Sequence, residues 1–197
     1  MVFGTISSGS NPDGSTKYML LYFYYMGGEM GQEKFLTVFA VFDDETQKIL
    51  KEYQNSVLSL GYEGTQTMDI PFHISLGTYS VSEENKMKEK IHEVCKKYKS
   101  FDIQLNKINR FGYKVLFVEP KLNKGLKSLH NIFNHRVFDD GLSWCPHVTI
   151  FMGEEEHVKI TDKYLSSLFK PIKAKVVGLQ MGEFFPTRMI ISEELKK

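Results

Sequence analysis

The sequence predicts an α+β fold made of two β-α-β-α-β units related by a pseudo-twofold axis, with helices outside and an active-site cleft between two sheets. Three observations predict it. Strand-like and helix-like apolar periods alternate along the chain, the same series of elements restarts midway, and matching elements keep a constant offset. The offset is clearest for the two histidine-bearing strands, where His73 and His147 stand 74 residues apart. Two such units most simply place equivalent strands facing each other across a shared groove.

The elements follow in order. Phe35 to Phe42 is poor in polar groups and rich in Val and Phe, as a buried strand is. Asp43 and Asp44 then offer a helix start. Ile49, Leu50, Tyr53 and Val57 share one helical face and Gly61 supplies a stop, so a helix is expected from about Asp44 to Leu60. Pro71 to Thr78 reads as a strand. A second helix begins at Ser82, with Glu83 and Glu84 in its first turn and Met87, Ile91, Val94, Cys95 and Tyr98 as its stripe. Phe101 to Ile108 alternates as a strand. The series then restarts with a strand at Tyr113 to Val118, a helix from Leu122 to Phe138 and a strand around Pro146 to Met152. A shorter helical segment runs toward Phe169, closed by Lys170 and Pro171, and strands at Lys173 to Met181 and Thr187 to Ile191 finish the series. Asn109 to Gly112 is only a tight turn, so residues 34–197 are expected to form a single bilobed domain with lobes at about 34–108 and 113–181.

Residues 1–33 differ in composition: a Gly/Ser/Asn/Pro/Asp stretch precedes a nine-residue apolar run from Tyr18 to Met26. That run is too short for a membrane span of about 20 residues and lacks the basic lead of a signal peptide, so a poorly ordered tail, a packing arm or a misassigned start is expected, and no membrane association. The net charge of +1, with 22 lysines and three arginines, lacks the concentrated positive field that grips long duplexes and favours a small or short substrate. Cys95 and Cys145 are too few for a disulfide framework or a cysteine-built zinc site. A reducing, cytoplasmic setting is expected, with a monomer as the default state.

The chemistry concentrates in Pro71-Phe72-His73-Ile74-Ser75-Leu76 and Cys145-Pro146-His147-Val148-Thr149-Ile150, each a histidine, an aliphatic, a hydroxyl and an aliphatic. Side chains alternate across a strand, so His73 and Ser75 leave one face while Ile74 and Leu76 enter the core; His147 and Thr149 do the same against Val148 and Ile150. A single such histidine is usually structural. Two at the same point of a repeated unit, each with a hydroxyl at the same offset, point to one shared site. One imidazole can take a proton from an attacking oxygen while the other, protonated, delivers one to the departing oxygen, since an ordinary imidazole populates both states near neutrality. Ser75 and Thr149 can donate to non-bridging phosphate oxygens.

These paired motifs resemble the His-x-Thr/Ser-x motifs of the 2H phosphoesterase superfamily, specifically its 2′-5′ RNA ligase-like members, over about Lys34 to Leu195. The resemblance implies the bilobed α+β fold, His73 and His147 as acid and base, Ser75 and Thr149 as phosphate contacts, and no metal or other cofactor. It implies a nucleotide or short RNA as partner, with a 2′,3′-cyclic phosphate or 2′-5′ phosphodiester to be cleaved or formed. Serine replaces the commoner threonine in the first motif, and the leader has no counterpart.

Further substrate contacts are weighed at Tyr79, Arg110 and Arg188 for phosphate or ribose, and at Phe111, Tyr113 and Trp144 for a stacked base, with core packing as the competing role for the aromatics. His92, His130 and His135 are expected to be surface or structural, and Glu154-Glu155-Glu156-His157 a solvated turn. Two other functions compete: a nucleotide- or RNA-binding module without chemistry, and a metallohydrolase with His73 and His147 as ligands, which no third histidine or spaced carboxylate supports. Base and chain-length preference are assigned to the segments 61–70 and 109–113.

Overall fold

A computed structural model describes residues 33–62, 70–137 and 143–197. The reading of the leader therefore lies outside the described residues, as does most of the 61–70 loop. The order is β1 (Phe35–Phe42), α1 (Asp44–Leu58), β2 (His73–Ser80), a single 3₁₀ turn, α2 (Glu84–Lys97), β3 (Phe101–Phe111), β4 (Val115–Lys121), α3 (Lys124–Phe133), β5 (Val148–Met152), α4 (Glu155–Leu168), β6 (Ile172–Phe184) and β7 (Arg188–Glu194).

Local chemistry sets the boundaries. The Asp43 carboxylate accepts from Thr46 N at 3.0 Å and starts α1. Asn123 caps α3 in the same way through Leu126 N at 2.9 Å. Gly112 turns β3 into β4 at φ 51°, a left-handed value that suits glycine. The third helix is shorter than the spacing predicts. It ends at Phe133 because the following backbone turns to β2 instead, where Thr78 N donates to His135 O at 2.9 Å and Val137 N to Thr78 O at 3.1 Å.

All strand pairs are antiparallel. The order is β2-β1-β6-β3-β4-β5, with β7 beside β6. The two sheets expected from the sequence are thus joined as halves of one. The cause is the length of β6, whose 13 residues pair with β1 over Val176 to Phe184 and with β3 over Ile172 to Val176. Exchanging the two predicted units (β1 for β4, β2 for β5, β3 for β6) reproduces the same order read backwards. Each unit's third strand lies in the other unit's half, β6 against β1 and β3 against β4.

One face of the sheet carries the core. Leu36, Val38, Ala40 and Phe42 alternate into it from β1, Ile74 and Leu76 from β2, Leu116 and Val118 from β4, and Val148 and Ile150 from β5, against Leu50, Met87, Leu126 and Val158 of the helices. Burying a side chain of this size contributes roughly 1.5–3 kcal/mol. Among the described residues no helix is long and apolar enough to cross a membrane.

Candidate functional site

The face opposite the core holds the histidines. Bulges fall at the same point of each outer pairing, between Val38 and Phe39 on β1 and between Leu116 and Phe117 on β4. They set Phe39 opposite Ser75, and Phe117 opposite Thr149. On the far side, Phe39 pairs with Gln180 and Phe117 with Asn109. Each half therefore carries one cross-strand row of hydroxyl, phenylalanine and carboxamide. Each imidazole packs on its row's phenylalanine, His73 on Phe39 at 4.4 Å and His147 on Phe117 at 5.4 Å between ring centroids. Phe111 adds an edge contact to His147 at 4.7 Å.

The two imidazoles are held alike. His73 Nδ1–H donates to Pro71 O and His147 Nδ1–H to Cys145 O, each at 2.8 Å, two residues back along the chain. These bonds fix the tautomer and leave both Nε2 atoms as the free ring nitrogens. Gln47 of α1 clamps the residue before His73, giving Nε2–H to Phe72 O at 2.8 Å and taking Phe72 N–H at 2.9 Å. Although β2 and β5 end the strand order on opposite sides, they touch one another. The histidines are then close enough for charge on His147 to disfavour charge on His73.

Electrostatics follow from this setting. Burial, the largest influence, pushes the His73 imidazole down to about 4, against the opposing pull of its Pro71 carbonyl bond and with a lesser contribution from His147. Burial likewise lowers His147, opposed by its bond to Cys145 O. Burial thus favours the neutral form of both rings. Among the described residues, no three or more His, Cys, Asp or Glu come together as a metal-binding set.

The remaining candidates divide. Ser75 and Thr149 share the histidine face, and Phe111 joins it. Trp144 reaches the first motif in a way the sequence did not suggest: its Nε1–H donates to Ser75 O at 3.0 Å, and His130 covers one face of its ring at 3.7 Å. Four others are drawn elsewhere. Tyr79 lies on the core face, 3% exposed, because the bulge in the β1–β2 pairing turns it inward opposite Leu36. Arg110 pairs with Asp162 of α4 at 3.4 Å, and Tyr113 sits in the exposed hairpin between Arg110 and Lys159. Arg188 is engaged by Glu183 at 2.8 Å and Glu84 at 2.9 Å. Phe39, Phe117, Gln180 and Gln47 were missed. A phenylalanine inside the first strand of each unit was the one available signal.

An antiparallel α+β sheet with two symmetry-matched imidazoles, each beside a hydroxyl, defines the class. A model of the 2′-5′ RNA ligase superfamily matches residues 42–183, most of the chain, and the chain belongs to that family. Solved structures share the fold. Escherichia coli LigT complexed with 3′-AMP superposes with a TM-score of 0.56 at 14% identity, covering 82% of this chain and 98% of LigT. The same protein complexed with ATP gives 0.55 at 14% identity, over 82% and 97%. TT0787 of Thermus thermophilus gives 0.55 at 12% identity, over 82% and 98%. No curated protein matches in sequence.

Proposed function

We propose that this protein is a metal-independent phosphoesterase acting on a phosphodiester that involves a ribose 2′ oxygen, by hydrolysis of a 2′,3′-cyclic phosphate or cleavage or ligation of a 2′-5′ linkage. The observation that carries the reading is the matched pair of imidazoles, each with Nδ1 tied to a carbonyl and Nε2 free, each beside a hydroxyl on the same face. One Nε2 takes the proton of the attacking oxygen; the other, protonated, gives one to the departing oxygen, and the roles reverse in the opposite direction. Ser75 and Thr149 donate to the non-bridging oxygens, keeping phosphorus in line and countering the charge that grows in the transition state. An approaching phosphodiester anion favours the imidazolium that burial disfavours, so the substrate itself helps to charge the acid. Family membership supports the reading, and the complexes of LigT with 3′-AMP and ATP are in keeping with a nucleotide as the ligand.

The test is turnover in EDTA on 2′,3′-cyclic nucleotides and a 2′-5′ dinucleotide. His73→Ala and His147→Ala are each expected to lose at least ~10²-fold in kcat. Full turnover in both single variants would remove the catalytic assignment. Tight 3′-AMP binding without turnover across the panel would leave the binding module as the function.

A further inference from the structure

Because β2 closes one end of the strand order, no further strand pairs with its outward edge among the described residues, and the second half of the chain meets that edge with side chains. The Trp144 indole N–H donates to Ser75 O at 3.0 Å, and the His130 Nδ1–H donates to Leu76 O at 3.1 Å. The two rings lie flat on each other, 3.7 Å apart and 7° from parallel. At the other end of the sheet the same job falls to α1: Gln54 Nε2–H donates to Ile150 O at 3.2 Å. Ile150 holds the place in the second motif that Leu76 holds in the first. A helix of each unit therefore braces the motif of the other.

Trp144 adds something the opposite end lacks among the described residues. It stands three residues before His147, whose ring donates to the carbonyl of Cys145 next to it, while its own N–H rests on the carbonyl of Ser75. One side chain thus joins the approach to the second histidine to the hydroxyl-bearing residue beside the first. We propose that Trp144, braced by His130, is a positioning residue that sets the separation of the two imidazoles. The inference rests on the two-histidine reading above. Proton transfer at both ends of one phosphodiester needs the two Nε2 atoms at a fixed span, and a misplacement of about 1 Å costs on the order of 10²-fold.

The experiment uses three variants and the fact that Trp144 is the protein's one tryptophan. Trp144→Phe keeps a ring against His130 but has no N–H for Ser75. It is expected to lower kcat on a 2′,3′-cyclic nucleotide at least ~10-fold with KM within about 2-fold, at a near-unchanged melting temperature. His130→Gln copies the Gln54 arrangement and keeps a donor for Leu76, so it should retain most of the turnover that His130→Ala loses. In the wild type, adding 3′-AMP should shift the emission of Trp144. A Trp144→Phe protein with wild-type kcat, or His130→Ala equal to His130→Gln, overturns the proposal while leaving the function standing. A wild type that turns over no substrate instead removes the functional reading; then an emission unmoved by 3′-AMP overturns the positioning role as well.

Discussion

Varying the pH from about 8 to about 4 tests the electrostatics of the imidazole pair. With burial holding His73 near 4, only about one molecule in 1,000 carries a proton there at pH 7. His147 is lowered too, so burial favours the neutral form of both rings in the free protein. The productive form needs one proton on the pair. Its population, and with it kcat/KM, should rise about tenfold per unit as the pH falls from 8 toward the upper apparent pKa of the pair. It should level between the two apparent values and fall once the second ring is charged. The maximum in kcat/KM therefore belongs below 6.5, the ordinary imidazole value. Bound phosphodiester adds an anion beside the rings, so the maximum in kcat should lie at higher pH than that in kcat/KM. Initial rates on a 2′,3′-cyclic nucleotide, at constant ionic strength and with melting temperature monitored at each pH, give both profiles. A kcat/KM that is flat, or still rising, between pH 7 and pH 8 would refute the argument from burial.

Three further outcomes follow from the same structure. The unfolded chain binds a proton at His73 near 6.5 and the folded chain near 4, so the stability this ring contributes is whole above 6.5 and drains away as the pH falls toward 4. Allowing for its partial exposure, the loss is ~1–3 kcal/mol, and His73→Asn should flatten the dependence in urea titrations at pH 7 and pH 4.5. Gly77→Ala would place a methyl 1.8 Å from Phe133 O and 2.7 Å from His135 O, both backbone. A destabilisation of ~1–3 kcal/mol is expected, and an unchanged urea midpoint would contradict the close approach of the 133–137 segment to β2. Tyr79 Oη is buried with no hydrogen-bond partner among the described residues, so Tyr79→Phe should leave the melting temperature equal or higher; a clear drop would reveal a partner for that hydroxyl.

Where local rules decide, the sequence was readable. The Asp43 cap, the apolar stripe of α1 and the alternation around His73 and His147 are set by neighbours within a few residues, and each lies where the pattern put it. Non-local contacts were not readable. That β6 runs on to Phe184 and joins the two halves depends on β1 and β3, more than 60 residues away in sequence. The histidine face was legible from period-two alternation, but the fate of Arg110, Arg188 and Tyr79 was not. Arg188 is claimed by Glu84, 104 positions earlier, and Tyr79 changes face through a bulge beside Gly77, the one residue of β2 whose type hints at it. The contacts of Trp144 with Ser75 O and His130 are likewise non-local and are not announced by its place before the second motif.

The exchange of third strands between the two units has a consequence for how the molecule can be divided. Severing the chain at Gly112 would separate β3 from β4 and leave each fragment carrying a strand that belongs in its sibling's half. The edge of β1 that pairs with β6 and the edge of β4 that pairs with β3 would each lose their partner strand. What folds as one sheet is the interlocked pair of halves.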